Sequence, residues 1–308
     1  MAGQSLIRVV LVRGAVALVA LLLPLGMLSS WTASVLSDTD RYVDTVAPLA
    51  SDPVVKKAAV KHLTRETVKL VEGSADDPRI GDVLRRLGYD ALADAVRPQL
   101  ERAVRAVVVT TVESPYFADA WREANRSAHA QLVAVLEGRR GAILDDEGRV
   151  SIELGTVLNT IRAALQRQGL PVGLSRLPTV DTSFALVKAD DLDNARFAYE
   201  TLKAAGFWLP IACLAAAVLA LVLSGRRWRT LRSLGTVSAV AMILLLLLLA
   251  WVRSALAGSS GDPEVTRVIW DVVVSDLRSG VLVAMVVGAL VAVGAGWMSG
   301  RSATEAAS

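Results

Sequence analysis

No second cysteine accompanies Cys213 in the 308 residues, so no disulfide closes within the chain and any exported part folds without one. Histidine is nearly as scarce. His62 and His129 are the only two, they fall on separate predicted helices, and neither has a His or Cys at metal-ligand spacing. There is no recognisable Ser-His-Asp arrangement, no G-x-S-x-G and no phosphate-cradling glycine loop. These absences argue against the common nucleophilic, zinc and nucleotide chemistries; the sequence reads as non-enzymatic, with no catalytic residue, metal ligand or cofactor assigned. Charge is short as well: 20% of residues are charged against 53% hydrophobic, and the mean hydropathy is +0.47, too apolar for a soluble chain of this size. A formal net charge of +3 gives no reason to expect nucleic acid as a partner.

What is present in abundance is long apolar sequence. Runs at 9–31, 207–223, 234–252 and 281–298 each approach the ~20 residues that a bilayer core requires. Arg13 near the start of the first can snorkel to the headgroups, as can Arg253 beyond the third. No acid, Lys or His occupies the middle of any run, which weakens a pump or ion-coupled transporter reading. A cleaved signal is the rival reading of the first run, but Ser29, Ser30 and Trp31 make no clear small-x-small site, and an uncleaved anchor is expected.

Arginine sets the expected orientation. Arg8 and Arg13 precede span one, Arg226, Arg227, Arg229 and Arg232 crowd the loop between spans two and three, and Arg301 follows span four, placing all three clusters in the cytoplasm. The expected organisation is a cytoplasmic N-terminus at 1–8, spans at 9–31, 204–223, 234–252 and 280–298, and an extracytoplasmic domain at 32–203. A cytoplasmic loop at 224–233, an extracytoplasmic loop with an amphipathic helix at 253–279 and a cytoplasmic tail at 299–308 complete it. The domain carries 23 basic and 25 acidic residues, near neutrality as an exported segment should. Trp31, Trp208 and Trp251 fall at the expected outer interface, Trp228 and Trp297 at the inner one. Arg outnumbers Lys 27 to 6, a usage associated with GC-rich bacterial genomes, so the cell membrane of a bacterium is the expected location.

The domain itself reads as mainly α with a small β-hairpin or three-stranded sheet. Asp52-Pro53 and Ser114-Pro115 pair a capping residue with a proline suited to the first helical position. Val54, Ala58, Val60, Leu63, Thr67, Leu70 and Val71 then make one helical stripe, opposite a basic face of Lys56, Lys57, Lys61, Arg65 and Lys69. Helices are expected at 91–111, with Pro98 as an obstacle, at 116–136 and at 156–168; a hairpin is expected around Asp145-Asp146-Glu147-Gly148 and a third strand at 180–187. That acidic turn lacks the spacing of a calcium loop. Asp190 and Asp191 open a helix expected to run into span two. Asp262-Pro263 opens an amphipathic stretch through Val265, Val268, Ile269, Val272 and Val273, expected to continue unbroken into span four and to dock on the domain.

Two patterns are candidate sites. In span four Gly280, Ala284, Gly288, Ala292 and Gly296 recur at steps of four, a groove that admits another helix backbone, from this chain, a second copy or another membrane protein. Just beyond span one stand Asp38, Thr39, Asp40, Arg41 and Tyr42: Asp38 or Thr39 can cap a helix there, and Arg41 can pair with an acid or a lipid phosphate. Cys213 reads as packing and His62 as solvated.

Three segments carry a family resemblance: residues 38–43 with the following 45–53, residues 148–154, and Ser183-Phe184-Ala185-Leu186-Val187 with Asp190-Asp191-Leu192 leading to Leu209-Pro210. On these the chain resembles a family of uncharacterised actinobacterial four-span integral membrane proteins with a large extracytoplasmic domain. The resemblance implies that architecture and adds no activity. The functional expectation is a non-enzymatic cell-envelope scaffold or partner-binding protein, whose partners are membrane lipids and possible envelope or membrane proteins, itself included. The alternatives are a transport or channel component and an envelope sensor.

Overall fold

The structure, a computed structural model, describes the backbone of residues 2–74, 89–139, 143–144, 149–153 and 183–305, and side chains within 7–69, 98–139 and 192–298. In chain order the helices are α1 (Ala2–Ser37), α2 (Thr39–Val46), a 3-10 turn (Ala47–Ser51), α3 (Pro53–Ser74), α4 (Tyr89–Val112) and α5 (Phe117–Leu136). After them come three short strands, β1 (Ile143–Leu144), β2 (Arg149–Glu153) and β3 (Ser183–Lys188), and then α6 (Ala189–Leu223), α7 (Arg227–Ser259), α8 (Pro263–Val273) and α9 (Ser275–Glu305). Four of the helices, α1, α6, α7 and α9, are long and apolar enough to cross a membrane.

The four long helices pack as a row. α6 lies along α1 and α9 along α7 with extensive contact, α1 meets α7 between them, and α6 and α9 barely touch. Glycine sets how closely each outer pair approaches. A Cβ on Gly235 of α7 would stand 2.6 Å from the Gly288 carbonyl oxygen and 2.7 Å from the Ala292 nitrogen, so those two backbones are in direct contact. A Cβ on Gly206 of α6 would stand 2.8 Å from Ala33 Cβ and 3.0 Å from the Ser29 carbonyl oxygen of α1. Two apolar clusters fill the remaining interfaces. One joins Ala15, Val16 and Val19 of α1 to Cys213, Ala216 and Ala220 of α6 and Leu234 of α7. The other joins Ala241, Met242 and Leu245 of α7 to Val274, Leu277 and Val281, with Met27 and Trp31 of α1 against it.

One end of this row carries exposed Arg8, Arg226, Arg227, Arg229 and Arg232, where Arg8 Nε donates to the Leu223 carbonyl and ties α1 to the end of α6. The other end carries the water-soluble helices. α2 follows α1 after one non-helical residue, Asp38, whose carboxylate accepts from the Asp40 and Arg41 amides at 3.0 and 3.1 Å. Asp52 caps α3 in the same way, accepting from Val54 and Val55 at 2.8 and 3.2 Å. α6 runs without interruption from the soluble end into the row, about 52 Å for its 35 residues.

The structure corrects two expectations. The amphipathic stretch does not continue straight into span four. α8 ends at Val273, the chain turns at Val274, and α9 starts at Ser275. The interruption is a single residue, and the Val274 and Arg278 amides still bond to the Trp270 and Val274 carbonyls. As expected, α8 docks, lying against α7, α3 and α2, and Arg253 of α7 holds Asp271 by two bonds of 2.7 and 2.6 Å. Ser114 does not cap α5 with its side chain; its hydroxyl donates back to the Thr111 carbonyl at 2.8 Å, while its own carbonyl accepts from Phe117. The helix expected at 91–111 is present as α4, which runs through Pro98. Backbone pairing makes β1, β2 and β3 antiparallel neighbours, Ile143 opposite Ser151 and Ile152 opposite Phe184. Their side chains, the 145–147 turn and the helix expected at 156–168 lie outside the described residues.

Candidate functional site

Two places gather polar side chains next to the long helices. The first is a joint built on the 38–42 motif. α2 presents Thr39 and Tyr42 to α5, where the Thr39 hydroxyl lies 3.1 Å from His129 Nδ1 and the Tyr42 ring stacks on the imidazole at 4.2 Å, 15° from parallel. Tyr42 donates its hydroxyl to Asn125 Oδ1 at 3.2 Å, and one turn earlier Trp121 donates its indole N–H to the Val46 carbonyl at 3.1 Å. Asp40 forms an ion pair with Arg126. His129 is only 5% exposed, and burial pushes its pKa below the ordinary histidine value against the opposing pull of the Val35 backbone and Asp38. Burial likewise raises the Tyr42 phenol. The neutral ring is the form this pocket accepts.

The far end of α5 is fixed to α6. Gly138, at φ 67°, lets the helix close with Arg139 N–H on the Ala134 carbonyl and Gly138 N–H on that of Val135, a Schellman closure open to glycine and strained for other residues. That brings Arg196 of α6 onto the Val135 carbonyl, with Nε at 3.2 and Nη2 at 3.1 Å, and sets Glu137 beside α6. Glu137 accepts from the Tyr199 hydroxyl at 3.0 Å and Lys203 Nζ at 3.2 Å, and Arg139 adds a contact at 2.6 Å. Burial opposes its charge, but these hydrogen bonds and the Arg139 and Lys203 charges prevail and hold it below the usual carboxylate value. α5 is therefore a strut of about 30 Å between α2 and α6.

The second place is a cavity of about 640 Å³ between the long helices. α1 lines it from Val19 to Ser34, α6 contributes Pro210, Cys213, Leu214 and Ala217, α7 contributes Ser238, and α9 contributes Asp276, Leu277, Gly280 and Ala284. It exists because α6 and α9 do not close on each other. Its walls are mostly apolar; Ser30, Ser34, Arg41 and Asp276 stand toward the soluble end, and Ser238 is the polar residue at the deep end. Trp31 also lines it, and its indole N–H is buried without a hydrogen-bond partner.

The sequence candidates fall as follows. Asp38 caps α2, Asp40 and Tyr42 belong to the joint, and Arg41 turns to the cavity without pairing to any acid. Of the span-four series, Gly288 and Ala292 meet Gly235 of α7, Gly280 and Ala284 line the cavity, and a Cβ on Gly296 would lie 3.7 Å from the Arg232 side chain. His62 is exposed and Cys213 is buried among apolar side chains. Sequence reading missed His129, Asn125, Arg126 and Trp121 as partners of the 38–42 motif. Their i, i+4 spacings from 121 to 125 to 129 form one helical face, and that was the available signal. Among the described residues no three His, Cys, Asp or Glu side chains converge as a metal site would require. No family model, curated protein or solved structure matches this chain.

Proposed function

We propose that this chain is a non-enzymatic scaffold of the bacterial cell membrane, crossing it four times with both termini in the cytoplasm and presenting its soluble helices on the outer side to an envelope partner. The observation that carries the reading is the strut: α5 is clamped to α2 at 121–129 and to α6 at 135–137, so the soluble helices cannot rotate freely over the long helices beneath them. A rigid platform suits a scaffold, because little ordering entropy remains to be lost when a partner docks. The ionisable groups of the joint are absorbed in its own stacking and pairing, which supports a structural role for them. The arginine-rich end is assigned to the cytoplasm by the positive-inside rule. Resemblance to the actinobacterial four-span family implies the same architecture and adds no activity. The cavity lining ends at Val19, Ala217 and Ser238, short of the arginine-rich end, so this cavity does not itself cross the row of long helices, which counts against the channel alternative.

Amine-reactive crosslinking in intact membranes, followed by detergent extraction and mass spectrometry, tests the proposal. A reproducible larger species containing a second envelope or membrane protein, or a second copy, is expected. Recovery of the monomer alone across crosslinkers and detergents would overturn the scaffold reading. Reporter fusions at the termini test the orientation, and an outward C-terminus would refute it.

A further inference from the structure

We infer that the cavity between α1, α6 and α9 holds one phospholipid of the leaflet on the soluble-helix side, with an ethanolamine headgroup at Arg41 and Asp276. The inference depends on four membrane-spanning helices and is independent of the scaffold reading.

Three observations carry it. Along α1 the lining runs from Val19 to Ser34, about 22 Å of helix, which matches one leaflet of a bilayer that is about 40–45 Å thick with its headgroups. The cavity, about 640 Å³, is open where α6 and α9 do not close on each other, so it need hold only part of a phospholipid, one acyl chain lying in it and the other among the surrounding lipid. Polarity then follows the order of a lipid's parts. The deep end is set by Val19, Leu22 and Ala217, and the charged groups lie only at the soluble end.

Charge complementarity identifies the head. Arg41 and Asp276 border the same cavity, both are exposed, and among the described residues neither side chain makes an ion pair or hydrogen bond, so a cationic and an anionic group stand free at its mouth. A phosphate takes the guanidinium and an ammonium takes the carboxylate, each in a charge-assisted hydrogen bond. Trp31, ten residues before Arg41, offers a buried N–H that can only donate, and the ester carbonyl of a glycerolipid lies at the level between phosphate and chain. Lipid tails gain nothing from exchanging a bilayer for an apolar wall, so selectivity must come from these polar groups. Asp276 disfavours a purely anionic headgroup by like charge.

Native mass spectrometry of the full chain, released from micelles containing equimolar phosphatidylethanolamine and phosphatidylglycerol, tests this. One bound lipid per chain is expected, with ethanolamine favoured about tenfold. Asp276→Asn should retain a lipid and bring the preference to within about twofold; Arg41→Gln should lose both lipids about tenfold; Ala284→Phe, which fills the cavity from α9, should abolish the adduct. Circular dichroism confirms that each variant is helical before it is scored, and Ala284→Leu replaces the phenylalanine variant if that one misfolds. Absence of a wild-type adduct, or an adduct unchanged by both cavity-filling and Arg41→Gln, overturns the site. A preference untouched by Asp276→Asn overturns the headgroup assignment while leaving the scaffold reading to its own crosslinking test.

Discussion

Replacing Gly235 by alanine should separate α7 from α9. The new Cβ would stand 2.6 Å from the Gly288 carbonyl oxygen and 2.7 Å from the Ala292 nitrogen, where ordinary contact begins at 3.4 Å. The obstacles are backbone atoms, which cannot rotate away, so the helices must part locally by about 0.8 Å. A gap of that size forfeits a quarter to a half of each contact's dispersion energy, and overpacking of this kind costs about 1–3 kcal/mol. The intrinsic helix preference for Ala over Gly returns about 1 kcal/mol, leaving a net loss of up to about 2 kcal/mol. Gly14, in α1, is the matched control: nothing lies within 4 Å of its virtual Cβ, so Gly14→Ala should be neutral or slightly stabilising. Both variants are compared in mixed micelles by titrating SDS and following tryptophan fluorescence, with helicity checked at each step. If Gly235→Ala unfolds at the same SDS mole fraction as Gly14→Ala, the close crossing at Gly235 and Gly288 does not exist as described.

Asp38→Ala removes the carboxylate that caps α2 and should cost about 1 kcal/mol, seen as faster amide exchange at residues 39–42. His129 has a folded pKa below its unfolded value near 6.5, so the unfolded chain binds more protons between the two. Its contribution is complete above pH ~6.5 and is lost as pH falls through the folded pKa, by up to about 1.4 kcal/mol per pH unit; SDS titrations from pH 8 to 5 should show that slope, and His129→Gln should flatten it. Arg253→Gln breaks a largely exposed pair and should leave global stability nearly unchanged, while protease sensitivity of α8 rises.

Legibility in the sequence followed the range of the interactions involved. The long apolar helices were readable because burial in lipid is decided residue by residue over some twenty positions, with little reference to anything distant. Caps at Asp38, Asp52 and Asp262 were readable for the same reason, since a carboxylate and the amides two or three residues on form a closed local unit. Ser114 misled because its hydroxyl had a second local acceptor, the Thr111 carbonyl, and spacing does not say which one wins. The turn at Val274 was invisible because no breaker marks it. It is made by what α8 lies against, including an Arg253–Asp271 pair eighteen residues apart in sequence. His129 was opaque for a stronger version of that reason: its meaning depends on Thr39 and Tyr42, about ninety residues away.

The series of small residues in α9 shows how one sequence pattern can be divided between two tasks. Gly288 and Ala292 are spent on α7, where Gly235 provides the reciprocal hollow. Gly280 and Ala284, two turns nearer the soluble end, meet no helix backbone in the same way; Gly280 approaches only the tip of Met27, and both line the cavity. α6 in turn uses its own small residue, Gly206, to seat on α1, away from α9, and a gap is left between the two. In water such a gap would collapse under the hydrophobic effect. In a bilayer that force is absent, and an apolar cleft one leaflet deep persists by exchanging protein contacts for contacts with lipid. Arg41 and Asp276, both exposed at its mouth, are left free to meet the headgroup of the lipid proposed to fill it.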